Sequence, residues 1–241
     1  MTVTAVPPGT RALLLAGGEG TRLRPLTLTT PKCLVPIHGK PLLGIWLDLL
    51  FSAGIERALV NTSYLPDQVR AFCAASPWAA KIDLVHEEHL LGTAGTLRAN
   101  ADYFSGGTFF MAHADNLSRF SVEGFFGAHA ARPSNCLGTM MTFQTERPKD
   151  CGIVELDGRG VAIAIHEKVE NPPGNLANAA VFILETTIFP ELARNPLATD
   201  FCRDIVPQFA GRWFTFQNAI YHRDIGSPES LAKAQHEFHW N

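Results

Sequence analysis

The chain has 241 residues, 46% of them hydrophobic and 18% charged, with a formal net charge of −3. That length holds one large α/β domain with a sizeable core, and the charge excludes the broad basic footprint of a nucleic-acid surface. Five scattered cysteines (Cys33, Cys73, Cys136, Cys151 and Cys202) never form a C-x-x-C pair, which argues against a disulfide framework or a zinc site and points to a reducing cytoplasm.

Residues 1–10 read as an N-terminal extension; with no basic start and no long apolar core, they predict no signal peptide. No apolar run reaches the length of a membrane span. The expectation is a cytoplasmic protein with neither a membrane nor a nucleic acid as partner.

Residues 12–16 form the first predicted strand, and it runs straight into Gly17-Gly18-Glu19-Gly20-Thr21-Arg22. Residues 41–53 place Leu42, Leu43, Ile45, Trp46, Leu49 and Leu50 at helical spacing, with Pro41 at the start and Gly54 after the end. Strands follow at 58–61, 82–85 and 108–112, and helices at 66–75 and 93–101. This alternation predicts a mainly parallel sheet covered on both faces, in which ligands bind beyond the carboxyl ends of the strands. The turn at 17–22, residues 92–95 and Asp115 all fall on that edge. The second half is richer in strands, at 136–143, 152–156, 161–166 and 179–184, with a hairpin turn at Asp157-Gly158. Helices are expected at 201–209 and 227–236, the latter opened by Ser227 and Pro228.

The glycine turn carries the chemistry. Glycines after a strand let backbone N–H groups approach a ligand that side chains would obstruct, and Arg22 and Lys32 supply charge for a polyphosphate. A dinucleotide fingerprint needs a third glycine where Leu23 stands and an acid where the second strand ends in Asn61. A nucleotide P-loop needs Lys followed by Ser or Thr after its last glycine, and Gly20 is followed by Thr21 and Arg22. Neither motif fits. Asp115 follows an apolar strand and Asp224 precedes a glycine turn; together they suit one Mg²⁺, a hard ion that takes carboxylate and phosphate oxygens.

Five ordered blocks resemble the sugar-1-phosphate nucleotidyltransferases, which make nucleoside-diphosphate sugars: residues 15–27 with Pro31-Lys32, residues 87–95, Asp115, Glu167-Lys168 with 178–182, and residues 224–229. The resemblance implies a Rossmann-like, mainly parallel but mixed sheet flanked by helices, of the nucleotide-diphospho-sugar transferase type. It divides residues 11–241 into a nucleotide-binding part of about 11–130 and a sugar-phosphate-binding part of about 131–225. Its implied substrates are a nucleoside triphosphate and a sugar 1-phosphate, with Mg²⁺ as cofactor on Asp115 and Asp224. Nucleotide contacts are implied for Leu15, Ala16, Gly17, Gly18, Gly20, Thr21, Gly92 and Thr93. Arg22 is implied at the pyrophosphate, Lys32 at the α-phosphate and Lys168 at the sugar phosphate, while Gly152, Glu167 and Asn178 line the sugar.

The stretch 86–95 most resembles mannose- and heptose-1-phosphate guanylyltransferases. A carboxylate suits guanine's N1–H and N2–H₂, making Glu87 or Glu88 a candidate reader of the base. The same scaffold serves UTP, dTTP and CTP, and a non-catalytic nucleotide-sugar-sensing subunit is a further reading. Departures from the family pattern are Cys33, Ala114, Cys151 and Val169, which lie near the implied sugar and phosphate contacts and point away from plain mannose. A homodimer stays open as an assembly state.

Overall fold

The computed structural model describes residues 5–239, so the first four residues of the N-terminal extension and the final Trp240-Asn241 lie outside the described residues. Strand β1 (Arg11–Leu15) is followed by a small ribbon, β2 (Pro36–Ile37) and β3 (Lys40–Pro41), then helix α1 (Leu42–Ser52). Next come β4 (Arg57–Thr62), α2 (Pro66–Ala75), β5 (Ile82–His86), α3 (Gly92–Ala99) and β6 (Phe109–His113). These four longer strands lie parallel in the order β5-β4-β1-β6, as the alternating pattern predicts.

The chain then leaves the main sheet for β7 (Asn116–Arg119) and helix α4 (Val122–Ala130). It returns as β8 (Gly138–Gln144), β9 (Gly152–Leu156), β10 (Val161–Glu167) and β11 (Leu176–Leu184), followed by α5 (Ile188–Arg194) and β12 (Trp213–Gln217). Strand β11 inserts antiparallel between β6 and β8, so a single nine-stranded sheet runs β5-β4-β1-β6-β11-β8-β12-β10-β9. Strands β10 and β11 run against the others, which makes the sheet mixed. The chain closes with β13 (Tyr221–Asp224), paired to β7, and α6 (Pro228–Glu237).

Period-two side-chain alternation divides the core across the sheet. Ala12 and Leu14 face α1, α2 and α4, packing with Trp46, Leu50, Val69 and Phe125. Leu13 and Leu15 face α3 and α5, with Leu97, Phe182, Leu192 and Trp213. A third cluster (Val35, Ile37, Leu42, Ile45, Leu117, Ile225, Ala234 and Phe238) lies under the β7–β13 ribbon. The helix expected over 201–209 is instead a wide π-type turn, Phe201–Ile205, followed by a 3₁₀ turn, Val206–Phe209. Pro207 lacks an N–H and cannot continue an α-helix through that position.

Candidate functional site

Strand β1 ends at Leu15, and the Ala16 N–H donates to Asn61 Oδ1 at the end of β4, at 2.7 Å. A Cβ on Gly17 would stand 2.9 Å from both Asn61 Nδ2 and Leu90 Cδ1, so a side chain there would displace both. Gly20 has φ +62°, and its Cβ would stand 3.0 Å from the Lys32 and Thr27 side chains. Glycine thus serves twice: at Gly17 it leaves room for the neighbouring side chains, and at Gly20 it permits a left-handed turn against Lys32. The turn and the start of α3 enclose a cavity of about 110 Å³, lined by Ala16, Gly17, Gly18, Thr93, Lys32 and Asp115 among others. Thr21 and Arg22 form an exposed 3₁₀ turn outside it.

Asp115 sits in the turn between β6 and β7, and the ribbon places Asp224 opposite Asn116. Two carboxylates 109 positions apart in the chain thereby share one ammonium. Lys32 Nζ donates to Asp115 Oδ2 at 2.8 Å and to Asp224 Oδ1 at 3.0 Å. The Gly226 N–H donates to Asp224 Oδ1 at 2.8 Å, and Arg22 Nη2 reaches Asp224 Oδ2 at 3.3 Å. Lys32 is buried, with 6% of its surface exposed. Burial lowers its pKa, but the two aspartates outweigh that and hold it above the ordinary lysine value. Asp224 responds in kind: burial raises its pKa, and Lys32 and Arg22 pull it below the usual carboxylate range.

A larger cleft of about 690 Å³ opens beyond this cluster, lined by Arg22, Asp224, His222, Cys151 and Lys168 among others. The two spaces meet at the Lys32–Asp115–Asp224 cluster, the first reaching Lys32 and Asp115, the second Arg22 and Asp224. Lys168 has φ +50°, a left-handed backbone that a side chain rarely adopts, and its N–H donates to the Cys151 carbonyl at 3.2 Å. That bond turns the end of β10 back over the start of β9. Gly152 pairs with Glu167 in the register, and a Cβ on Gly152 would overlap the Glu167 carboxylate. Burial raises the Glu167 pKa. Asn178 accepts the Ala180 N–H at 2.9 Å and donates to Cys202 Sγ at 3.5 Å, at an irregularity in the β11–β8 pairing.

Glu87 is tied into the wall behind the cavity. It is buried, and it does not line the cavity. Its carboxylate accepts from Thr96 Oγ1 at 2.5 Å, Asn61 Nδ2 at 3.3 Å and the Leu91 N–H at 3.1 Å. Glu88 is exposed. Asn61 and Thr96, which sequence reasoning did not select, line the cavity instead. Their signal was faint: a polar residue ending the apolar run Ala58-Leu59-Val60. Gly92 has φ +74°, and a Cβ there would overlap the Thr199 carbonyl oxygen. Thr93 Oγ1 accepts the Phe201 N–H at 2.7 Å, so α3 is tied to the segment before β12.

Among the described residues no group of three or more His, Cys, Asp or Glu is gathered as a metal cluster. Two carboxylates with no histidine or cysteine ligand grouped beside them have the chemistry of Mg²⁺, which keeps several waters and takes one or two carboxylates plus phosphate oxygens.

A mixed sheet with four parallel strands at its start, a bare glycine turn at their carboxyl edge and a lysine held between two acids define an α/β protein with a charged cleft at that edge. The sequence profile of the Nucleotidyl transferase family matches residues 11–240, and the chain belongs to that family. It is 30% identical over 227 residues, 92% of this chain, to the mannose-1-phosphate guanylyltransferase of Mycobacterium tuberculosis. It is 31% identical over 95% of its length to the mannose-1-phosphate guanylyltransferase catalytic subunit beta of Drosophila pseudoobscura pseudoobscura. The chain spans 62% of the length of each of these relatives. A crystal structure from Bacillus anthracis, described as a glucose-1-phosphate thymidylyltransferase in complex with a sucrose, shares the fold. Its TM-score is 0.82 at 18% identity, covering 97% of this chain and 98% of that one.

Proposed function

We propose that this chain transfers a nucleotidyl group from GTP to a sugar 1-phosphate of the mannose or heptose type, releasing pyrophosphate. The observation that carries this reading is the shared Lys32 ammonium between Asp115 and Asp224, at the mouth of the glycine-lined cavity and beside Arg22. The choice of guanine is supported by the names of the relatives and by the block at 86–95. Glu87 serves it indirectly, by holding Asn61 and Thr96 in the cavity wall.

In the reaction an oxygen of the sugar 1-phosphate attacks the α-phosphorus in line. A new P–O bond forms as the bond to the β-phosphate oxygen breaks, and its electron pair leaves with pyrophosphate. The attacking phosphate is already ionised, so no general base is required. The barrier lies in bringing anions together and in dispersing charge on the leaving group. The main chain at Leu15–Gly18 and the start of α3, with Gly92 and Thr93, receive the nucleoside. Lys32 meets the α-phosphate, Arg22 the departing pyrophosphate, and Lys168 the sugar phosphate. Gly152, Glu167 and Asn178 face the sugar. Asp115 and Asp224 would hold Mg²⁺, which supplies neutralisation of phosphate charge when bound.

Thermal shift against GTP, UTP, dTTP and CTP tests the base, since a ligand at 100 times its Kd adds about 2.7 kcal/mol. The expected result is a shift with GTP alone; a shift with dTTP or UTP and none with GTP overturns the guanine assignment. Pyrophosphate release from GTP, Mg²⁺ and a panel of sugar 1-phosphates tests turnover. Silence across the panel, with GTP still bound, would make the chain a nucleotide-sugar sensor.

A further inference from the structure

Lys32 stands between Asp115 and Asp224, the two acids that a shared divalent ion would also need. Its ammonium touches one oxygen of each carboxylate, at 2.8 and 3.0 Å, and its side chain is only 7% exposed. The acids themselves face the clefts, Asp115 at 32% and Asp224 at 50% exposure. An ion arriving from solvent therefore meets the carboxylates first and finds the lysine already between them. Arg22, on the free oxygen of Asp224, is 70% exposed and yields to solvent more easily. An ammonium and a divalent cation in contact repel each other, so the two cannot occupy one gap.

We propose that Lys32 is an internal counter-ion that competes with the metal: binding of a divalent cation to Asp115 and Asp224 expels the ammonium toward the glycine-lined cavity. The cavity wall includes Lys32 itself, Gly17 and Gly18, so the released ammonium stays at the edge of the space assigned to the nucleotide, within reach of its α-phosphate. Metal arrival and phosphate grip thus become one event, and the two acids are never left facing each other without a cation. This inference rests on the metal-dependent reading above, but it concerns the protein without substrate.

Mn²⁺ alone is the probe, with free ion followed by electron paramagnetic resonance and no nucleotide present. Lys32→Gln removes the competing charge and should bind Mn²⁺ at least about tenfold more tightly than the native protein. Lys32→Arg, which keeps the charge, should show no such gain, and adding Asp115→Asn to Lys32→Gln should abolish it. In the native protein, acetic anhydride labelling of Lys32, read by mass spectrometry, should rise when Mn²⁺ is added. That measurement stands even where Lys32→Gln does not fold. Mn²⁺ affinity in Lys32→Gln equal to or weaker than native overturns the proposal, as does labelling that stays level or falls with Mn²⁺. Neither readout needs turnover, so a chain inactive with every sugar could still pass both, and an active one could fail them.

Discussion

At the scale of single residues, the site depends on atoms that are missing as much as on those present. Gly92 must be left-handed and must leave room for the Thr199 carbonyl. Gly92→Ala should therefore cost roughly 1–3 kcal/mol from overlap and backbone strain together. Urea unfolding would measure this; a loss below half a kilocalorie would mean that the 199–204 segment simply moves aside. Arg22 is the contrasting case, exposed and, among the described residues, held by Asp224 alone. Arg22→Ala should leave stability nearly unchanged and lower kcat by on the order of 10²-fold, as loss of a preorganised charge does. Pyrophosphate release under saturating substrate checks it, and a rise in KM with kcat intact would move Arg22 from the transition state to ground-state binding. The glycine turn and Arg22 stood out in the sequence because Gly17, Gly18, Gly20 and Arg22 form one contiguous stretch. The surroundings of Glu87 were not legible: the partners that hold its carboxylate, Asn61 and Thr96, lie 26 positions before it and 9 after it.

At the scale of elements, β1, β4, β5 and β6 were visible as apolar runs between helical patterns, because a doubly covered parallel sheet needs strands apolar on both faces. The β7–β13 ribbon was not. Its strands, Asn116-Leu117-Ser118-Arg119 and Tyr221-His222-Arg223-Asp224, are short and polar, and their pairing spans most of the chain. Helix α4 also escaped notice, since Gly124 and Gly127 weaken any helical signal among its phenylalanines. Yet the ribbon brings the two acids together, and it contains a partly buried histidine with a pH consequence. His222 sits opposite Ser118, whose hydroxyl lies 2.6 Å from His222 Nδ1, and packs on Phe143 with ring centroids 4.3 Å apart. Burial pushes its pKa down to about 4, with Asp224 opposing the shift. Between the ordinary value near 6.5 and about 4, the unfolded chain binds a proton that the folded chain refuses. Stability attributable to this group should therefore fall as pH drops through that window, by on the order of 3 kcal/mol, and level off below it. Denaturant unfolding of native protein and His222→Gln at pH 7 and pH 4 provides the check. The gap between them should narrow or invert at pH 4, and a constant gap would remove His222 as the source.

At the scale of the whole molecule, two large clusters stabilise the sheet while the third holds the chemistry in register. The first two lie on opposite faces of strands that run through both halves of the chain, so a defect in either is shared by the entire sheet. The third joins α1, α6 and the ribbon through Leu42, Ile45, Leu117, Ile225 and Ala234. Ile225 directly follows Asp224 and is fully buried, as is Leu192 of α5 on the far face of the sheet. Truncating either to alanine removes similar apolar volume and should cost about 2–4 kcal/mol of stability. Their effects on turnover should diverge. Leu192→Ala leaves the ribbon and both acids in place, so kcat measured well below its Tm should stay within about twofold of native. Ile225→Ala lets the peptide carrying Asp224 shift, and misplacement of a catalytic group by about an ångström costs on the order of 10²-fold. Parallel loss of kcat in both variants would show that activity follows global stability, and the ribbon would then be one more packed element without a positioning role of its own.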